Sequence, residues 1–311
     1  MEFNEKSIAF CRSLLLAAAV GLLVVPAARS QTYSGAPDTG SSASSGSVST
    51  NAETSASVIS AGGSENHYTW IEEFEGSSNT QGQVMLLDSS MGYVFGRHVW
   101  AGGGIPVYFV HATTTSSVGT STTNSFTALG DFYGQFRLSF ANPILNLKTQ
   151  LTGRAPTGNT SDGISTGHAT YDWTNRIDRS FGNWTPFFEA GLADSIPDTF
   201  IYRRSFASYG NLAHFQLGAQ YRATQWFSVA ASAFDVAPWG TQTIDSRGKG
   251  TKVTGGSNLA ADNGFSVGAD LSPVRAIDFT VGYSRSTHYG LNTISFGVAV
   301  NMRDILRRPS L

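Results

Sequence analysis

Between residues 128 and 152 apolar and polar positions alternate through two arms. Phe132, Phe136, Leu138 and Phe140 fall on one face, and Asp131, Tyr133, Gln135, Arg137 and Ser139 on the other. After Ala141-Asn142-Pro143, the positions Leu145, Leu147, Thr149 and Leu151 alternate with Asn146, Lys148, Gln150 and Thr152. A strand sends successive side chains to opposite faces, so this is a hairpin with one apolar and one polar side. Each arm has about the 9–11 residues that a tilted transmembrane strand needs.

The same period recurs downstream. Phe215, Leu217, Ala219 and Tyr221 oppose His214, Gln216, Gly218, Gln220 and Arg222; Ile277, Phe279, Val281 and Tyr283 oppose Asp278, Thr280, Gly282 and Ser284. The pattern predicts strands near 67–75, 83–95, 98–111, 127–140, 144–155, 163–180, 184–196, 211–223, 226–236, 263–272, 276–286 and 291–302. Tight turns (96–98, 141–143, 181–183, 224–225, 272–275) alternate with Ser/Thr/Gly/Asn-rich connections (112–126, 156–162, 197–210, 237–262, 287–290). Short turns at one end and long loops at the other are the habit of outer-membrane barrels, whose turns are periplasmic. Trp100, Trp173, Trp184, Trp226 and Trp239, with Tyr93, Tyr171, Tyr209 and Tyr289, gather near strand ends, as interfacial girdles require. The expected fold is all-β: a transmembrane, antiparallel, up-and-down β-barrel of about twelve strands. A soluble β-sandwich also alternates, but its strands are shorter, with a mode of about 5–6 residues.

Composition sharpens this picture. Charged residues are 14%, aromatics 12%, and there are 34 glycines. Residues 1–30 read as a signal peptide, with basic Lys6 and Arg12, an apolar run from Ser13 to Val25, and small residues before a cut after Ser30. Residues 31–66, rich in Ser, Gly and Thr, have too few apolar side chains to offset ordering entropy, and form a disordered tail. The barrel is expected over 67–302, with 303–311 as a periplasmic tail. The single cysteine, Cys11, lies before the apolar run, which excludes a disulfide framework. The leader carries three basic and two acidic residues, so the net charge of −2 becomes −3 after its removal. With no basic stripe, nucleic acid is not an expected partner.

Residues 130–198 carry a family likeness. Gly130-Asp131 opens a strand; Leu151-Thr152-Gly153-Arg154-Ala155-Pro156-Thr157-Gly158 leads into a loop; Gly163 to Gly167 follows, then Gly182-Asn183-Trp184 and Phe187-Phe188-Glu189-Ala190-Gly191. This resembles the outer-membrane proteins of the "MetA-pathway of phenol degradation" family, marked by a Pro-Thr-Gly element and a Gly-rich repeat before the next strand. The resemblance implies an outer-membrane channel for small, often aromatic or apolar, molecules. It departs at Ala155, where the family often has Leu, and at 303–311, which follow the last strand where the class usually ends on Phe. Insertion by the assembly machinery then relies on the internal Phe296-Gly297 strand.

A closed barrel turns its polar faces into the lumen. The candidate lumen-lining residues are Asp131, Arg137, Lys148, Arg154, His168, Asp172, Arg176, His214, Arg222, Asp270 and Asp278. They either pair across strands to fill a narrow interior or line a water-filled path and set its selectivity. Arg154, at a strand end beside Pro156, Thr157 and Gly158, is placed to guard a mouth; the Pro and Gly are read as turn geometry. None of the six histidines has metal-ligand spacing, and no nucleophile signature is present, so no enzyme, metal or cofactor is expected. The expected function is passage of small molecules across the outer membrane, with lipid and solute as partners. The alternatives are a plugged structural or adhesive barrel displaying its loops, a barrel hydrolase, and a secreted soluble sandwich.

Overall fold

The computed structural model describes residues 66–115, 121–142, 144–196, 204–248, 251–274, 276–302 and 305. The expected leader, nearly all of the expected Ser/Gly/Thr tail and all but Ile305 of residues 303–311 lie outside these residues.

Period-2 alternation builds a closed barrel of twelve antiparallel staves. They are β1 (His67–Asn79), β2 (Gly82–Phe95), β3 (Val99–Thr115), a broken stave of β4 (Ser121–Leu129) and β5 (Tyr133–Ala141), β6 (Asn146–Arg154), β7 (Thr170–Asp178), β8 (Trp184–Ala193), β10 (Leu212–Arg222), β11 (Phe227–Pro238), β14 (Asp262–Val274), β15 (Ile277–Ser286) and β16 (Leu291–Asn301). Closure comes from β1 pairing with β16, from Ile71↔Asn301 to Ser78↔Ile294. Closing the sheet leaves no edge with unpaired N–H and C=O groups, the condition for crossing hydrocarbon. No helix among the described residues is long and apolar enough to cross a membrane.

The apolar face points outward. Phe132, Phe136 and Phe279 are 51%, 43% and 41% exposed, and Phe215 is half-buried on the same side. The chain therefore covers its wall with apolar side chains and turns its polar ones inward, the reverse of a soluble domain.

Several sequence expectations need correction. The strand expected over 163–180 starts only at Thr170, because residues 155–169 fold as a loop. The fourth stave extends back to Ser121 and breaks at Gly130–Phe132. There the register against β3 changes between Val107↔Leu129 and Gly104↔Tyr133, a one-residue bulge. The expected loops 197–210 and 237–262 contain a second, three-stranded sheet of β9 (Phe206–Tyr209), β12 (Gln242–Ser246) and β13 (Lys252–Gly255). Connection lengths do not alternate strictly: β1–β2 turns through Thr80-Gln81 at the same end as the long loops. Trp100 is no girdle residue. It is buried on the inner face, and Tyr209 and Tyr289 belong to the loop assembly. Trp173, Trp184 and Trp226 do stand exposed on the outside.

Candidate functional site: the polar lumen

The inner wall is built in layers that begin with glycine. A Cβ on Gly102 would lie 2.6 Å from Trp100 Cζ2, and one on Gly92 would lie 2.5 Å from its Cε2. The indole thus lies flat along the wall where two strands lack side chains. Its Nε1–H donates to Thr69 Oγ1 at 2.9 Å. The Arg137 guanidinium rests 4.4 Å above this ring and donates to Gln135. A second stack repeats the device: Gly218 makes room for Phe187, and Arg176 lies 3.9 Å above that ring. A cation held over an aromatic face in a desolvated site gains about 0.5–2 kcal/mol. The Arg176 Nε atom is 3.5 Å from Asp178 Oδ2, and Lys148 Nζ is 3.9 Å from the same oxygen.

Two further glycines accommodate polar rings. Gly104 lies under Tyr133, whose hydroxyl donates to Asp88 Oδ2 at 2.6 Å. Gly191 lies under the His214 imidazole. His214 Nε2 is 3.1 Å from Asp172 Oδ1, which also accepts the Thr174 hydroxyl at 2.9 Å. Beside these charged groups runs a neutral ladder. Gln216 donates to Ser232 at 2.7 Å, Ser232 and Ser266 share a bond of 2.7 Å, and Gln220 donates to Ser228 at 2.9 Å, which donates to Asp270 at 3.2 Å.

Charge is distributed unevenly around the wall. Among the described residues of the six consecutive staves β14, β15, β16, β1, β2 and β3, the inward positions hold Asp262, Asp270, Asp278, Glu73, Glu75 and Asp88, and no lysine or arginine. Glu73 and Asp88 are direct cross-strand neighbours. The other half, β4/β5 to β8 with β10 and β11, holds Arg137, Lys148, Arg154, Arg176 and Arg222 with His214, against Asp172, Asp178 and Glu189.

The loop end of the barrel is roofed. Ile164 packs on inward-facing Val84, Val110 and Ala112. Ile196, Phe206 and Ala260 pack with Ala193, Leu212 and Val236. Arg204 makes a buried ion pair with Asp262 at 3.2 Å, and Arg247 donates to the Arg204 carbonyl at 2.6 Å while lying 4.8 Å over the Tyr108 ring. Just past β8, Asp194 Oδ1 accepts the Tyr171 N–H at 2.8 Å; burial pushes its carboxyl above the ordinary range.

No protein-family model and no curated protein matches the chain. Solved structures do share its architecture. The COG4313 outer-membrane channel from Pseudomonas putida F1 aligns with a TM-score of 0.53 at 12% identity, over 75% of this chain and 95% of that one. The fold is the closed outer-membrane β-barrel architecture that this structure shares. A NanC porin (TM-score 0.45, 8% identity, 74% of this chain and 98% of that) and a KdgM porin in complex with disordered oligogalacturonate (0.43, 8%, 74% and 98%) are more distant. The likeness of residues 130–198 to the phenol-degradation family rests on those residues alone.

Within this barrel the structure sorts the predicted residues. Arg137, Lys148, Arg154, Asp172, Arg176, His214, Arg222, Asp270 and Asp278 occupy inward positions of their strands. Two others do not. His168 sits in the loop before β7, exposed and stacked 4.4 Å from Tyr209. Asp131 lies in the stave break, where its Oδ1 accepts the Gly158 N–H at 2.9 Å. That contact also revises the reading of Pro156 and Gly158 as turn geometry alone. Thr157 Oγ1 accepts the Phe132 N–H at 2.8 Å and Ala155 donates to the Phe132 carbonyl at 2.9 Å, so the loop completes the ladder that the bulge interrupts. Sequence reasoning missed Glu73, Glu75, Asp88 and Glu189, as well as the rings Trp100 and Phe187. The carboxylates were visible as the odd positions of β1 and the even ones of β2. The rings look like ordinary strand aromatics until the glycines beside them are known.

Proposed function

We propose that the chain is an outer-membrane channel for small solutes, inserted with its short turns in the periplasm and its long loops outside the cell after removal of residues 1–30. The observation that carries this reading is a closed wall with apolar side chains outside and charged, hydrogen-bonded ones around its axis. Hydrocarbon suits the first surface and water the second. Among the described residues, nine inward carboxylates and five inward Lys or Arg favour hydrophilic over apolar cargo, since an apolar solute would strip water from charges and return no hydrogen bond. The likeness of residues 130–198 to a family of small-molecule channels is consistent with passage, though not with a particular solute.

A second reading, a barrel closed by its own loops, draws on the roof formed by Ile164, Arg204 and Arg247. Purified protein in a planar bilayer separates the two. Discrete current steps support the channel; a silent bilayer containing folded, inserted protein supports the closed barrel and overturns the channel.

A further inference from the structure

One cation stands on the outside of the wall. Among the described lysines and arginines of the twelve staves, Arg285 alone holds an outward position; Arg137, Lys148, Arg154, Arg176 and Arg222 all face inward. Arg285 is exposed and is the last residue but one of β15, at the loop end. We propose that Arg285 and Asn292 form a docking site for the phosphate of a lipid in the loop-side leaflet, whose chains lie on the apolar wall below. This rests on the membrane-barrel reading and not on the passage of solutes.

Three observations carry the proposal. First, Arg285 stands at the right height. The outward positions of β16 from Ile294 to Val300 are all apolar, and Asn292 ends that run beside Arg285. From Ile277 to Arg285 the strand climbs eight residues. At about 3.4 Å each and a tilt of about 40°, that is a rise of roughly 21 Å, against an apolar band about 25 Å tall. A cation is costly at the middle of such a wall and nearly free at its edge, where head groups begin. The connection to β16 is short, residues 287–290, so the wall ends there. Second, the guanidinium is braced among donors. Asn292 Oδ1 accepts the Tyr283 hydroxyl at 2.8 Å and Arg285 Nη1 at 3.3 Å. Arginine can only donate, which fixes the amide oxygen toward it and leaves the exposed Asn292 Nδ2 free to donate beside the fork. The cross-strand and same-face neighbours of Arg285 are Phe265, Tyr283 and Asn292, none of them acidic. A planar fork with a second donor beside it matches a phosphate. Third, the surface below is bare and apolar, with Val281 and Ile294 56% and 64% exposed. A lipid gains from both surfaces at once; free phosphate gains only from the first.

Native mass spectrometry of the folded barrel, released from detergent, tests this with three probes. Dimyristoyl phosphatidate carries phosphate and chains, dimyristoylglycerol the chains alone, and inorganic phosphate the anion alone. The wild type should retain one phosphatidate at concentrations that leave dimyristoylglycerol unbound, and millimolar inorganic phosphate should not displace it. Arg285→Gln should weaken retention about fivefold, the scale of one basic side chain at a membrane surface. Asn292→Asp, which sets a carboxylate beside the guanidinium, should weaken it as much. Both positions are exposed, so both variants should keep the heat-modifiable migration of a folded barrel. Arg97→Gln, exposed in the turn at the opposite end, should change nothing. Unchanged retention in either site variant, equal retention of the two lipids by the wild type, or an equal loss in Arg97→Gln overturns the site. Displacement by inorganic phosphate overturns the lipid as its occupant. A barrel that folds in detergent yet does not insert into bilayers overturns the membrane reading together with the site.

Discussion

The glycine-based layers make a prediction in which two chemically identical substitutions act with opposite sign. Gly218→Ala and Gly153→Ala each add one methyl group to a glycine within a barrel strand. At Gly218 the new Cβ would lie 2.6 Å from the Ala231 carbonyl oxygen, 2.6 Å from Phe187 Cζ and 2.7 Å from Ser232 Cβ, against 3.4–4 Å for ordinary contact. The carbonyl belongs to the β10–β11 ladder and cannot retreat without breaking it. Phe187 can move only by leaving Arg176. Overpacking of this kind costs about 1–3 kcal/mol. Displacing the ring removes a further contact of about 0.5–2 kcal/mol, so Gly218→Ala should lose roughly 1.5–5 kcal/mol when both costs combine. Gly153 faces outward with nothing within 4 Å of the added carbon. Alanine there removes only the backbone freedom of glycine, a gain of up to about 0.5–1 kcal/mol. Urea unfolding and refolding in detergent, followed by tryptophan fluorescence, reads both. With a slope of about 1–3 kcal/mol per molar urea, the midpoint of Gly218→Ala should fall by roughly 0.5 M or more while that of Gly153→Ala holds or rises slightly. If both midpoints move alike, the layered inner wall is not what sets the glycine at 218.

Four further outcomes follow from the same geometry. Phe136→Lys, on the outer face, should cost about 2–4 kcal/mol by the same urea measurement in bilayers, and Gln135→Lys, on the inner face, clearly less; equal costs contradict the inside-out assignment. Arg204→Met leaves Asp262 buried without its cation, a loss of about 3–5 kcal/mol to the roof, and limited proteolysis should then cut within 239–261 while the strands stay resistant. Thr157→Val removes the hydroxyl that accepts the Phe132 N–H and should cost about 1 kcal/mol, with Thr157→Ser restoring most of it; a neutral Thr157→Val denies the ladder-repair role. Asp194 has a carboxyl raised by burial, so its protonated form favours the fold: that contribution is complete below the unfolded carboxyl range near 4 and is lost as pH rises through the raised value. Asp194→Asn keeps the Oδ1 acceptor for Tyr171 and should therefore flatten the fall in midpoint as pH rises through that value; an unchanged slope refutes the assignment.

What the sequence could show depended on the distance over which each cause acts. The period of two is local, so the inward and outward sets of β6, β7 and β10 were legible, down to Lys148, Arg176 and His214. His168 was misplaced for a local reason too: residues 163–168 continue an alternation that Gly163 and Gly167 break, both with positive φ (66° and 76°). The stave break was concealed because Gly130-Asp131-Phe132 keeps apolar and polar residues in alternation while the register slips by one. Nothing in residues 128–133 announces the slip; it is visible only against Pro106 on β3, which donates no N–H and whose carbonyl accepts from Gly130 at 2.7 Å.

The lumen chemistry lay furthest from view because it is decided by register between strands. How the inward Trp100 ring lies along the wall depends on glycines at 92 and 102, one on the neighbouring strand and one two residues on. The same holds for Phe187 and Gly218, thirty-one positions apart in sequence. In each case an absent side chain lets a ring lie flat, and the flat ring carries a guanidinium. On the channel reading, glycine in these strands would act on selectivity at one remove: it sets no charge itself but fixes where the charge stands. Replacing Arg137 or Arg176 changes the charge of the wall directly, whereas filling Gly218 should tilt Phe187 and shift the cation that rests on it. A channel variant with Gly218→Ala that keeps its conductance yet moves its reversal potential toward cations would show that layering at work, and an unshifted potential in the same variant would confine the glycine's role to stability.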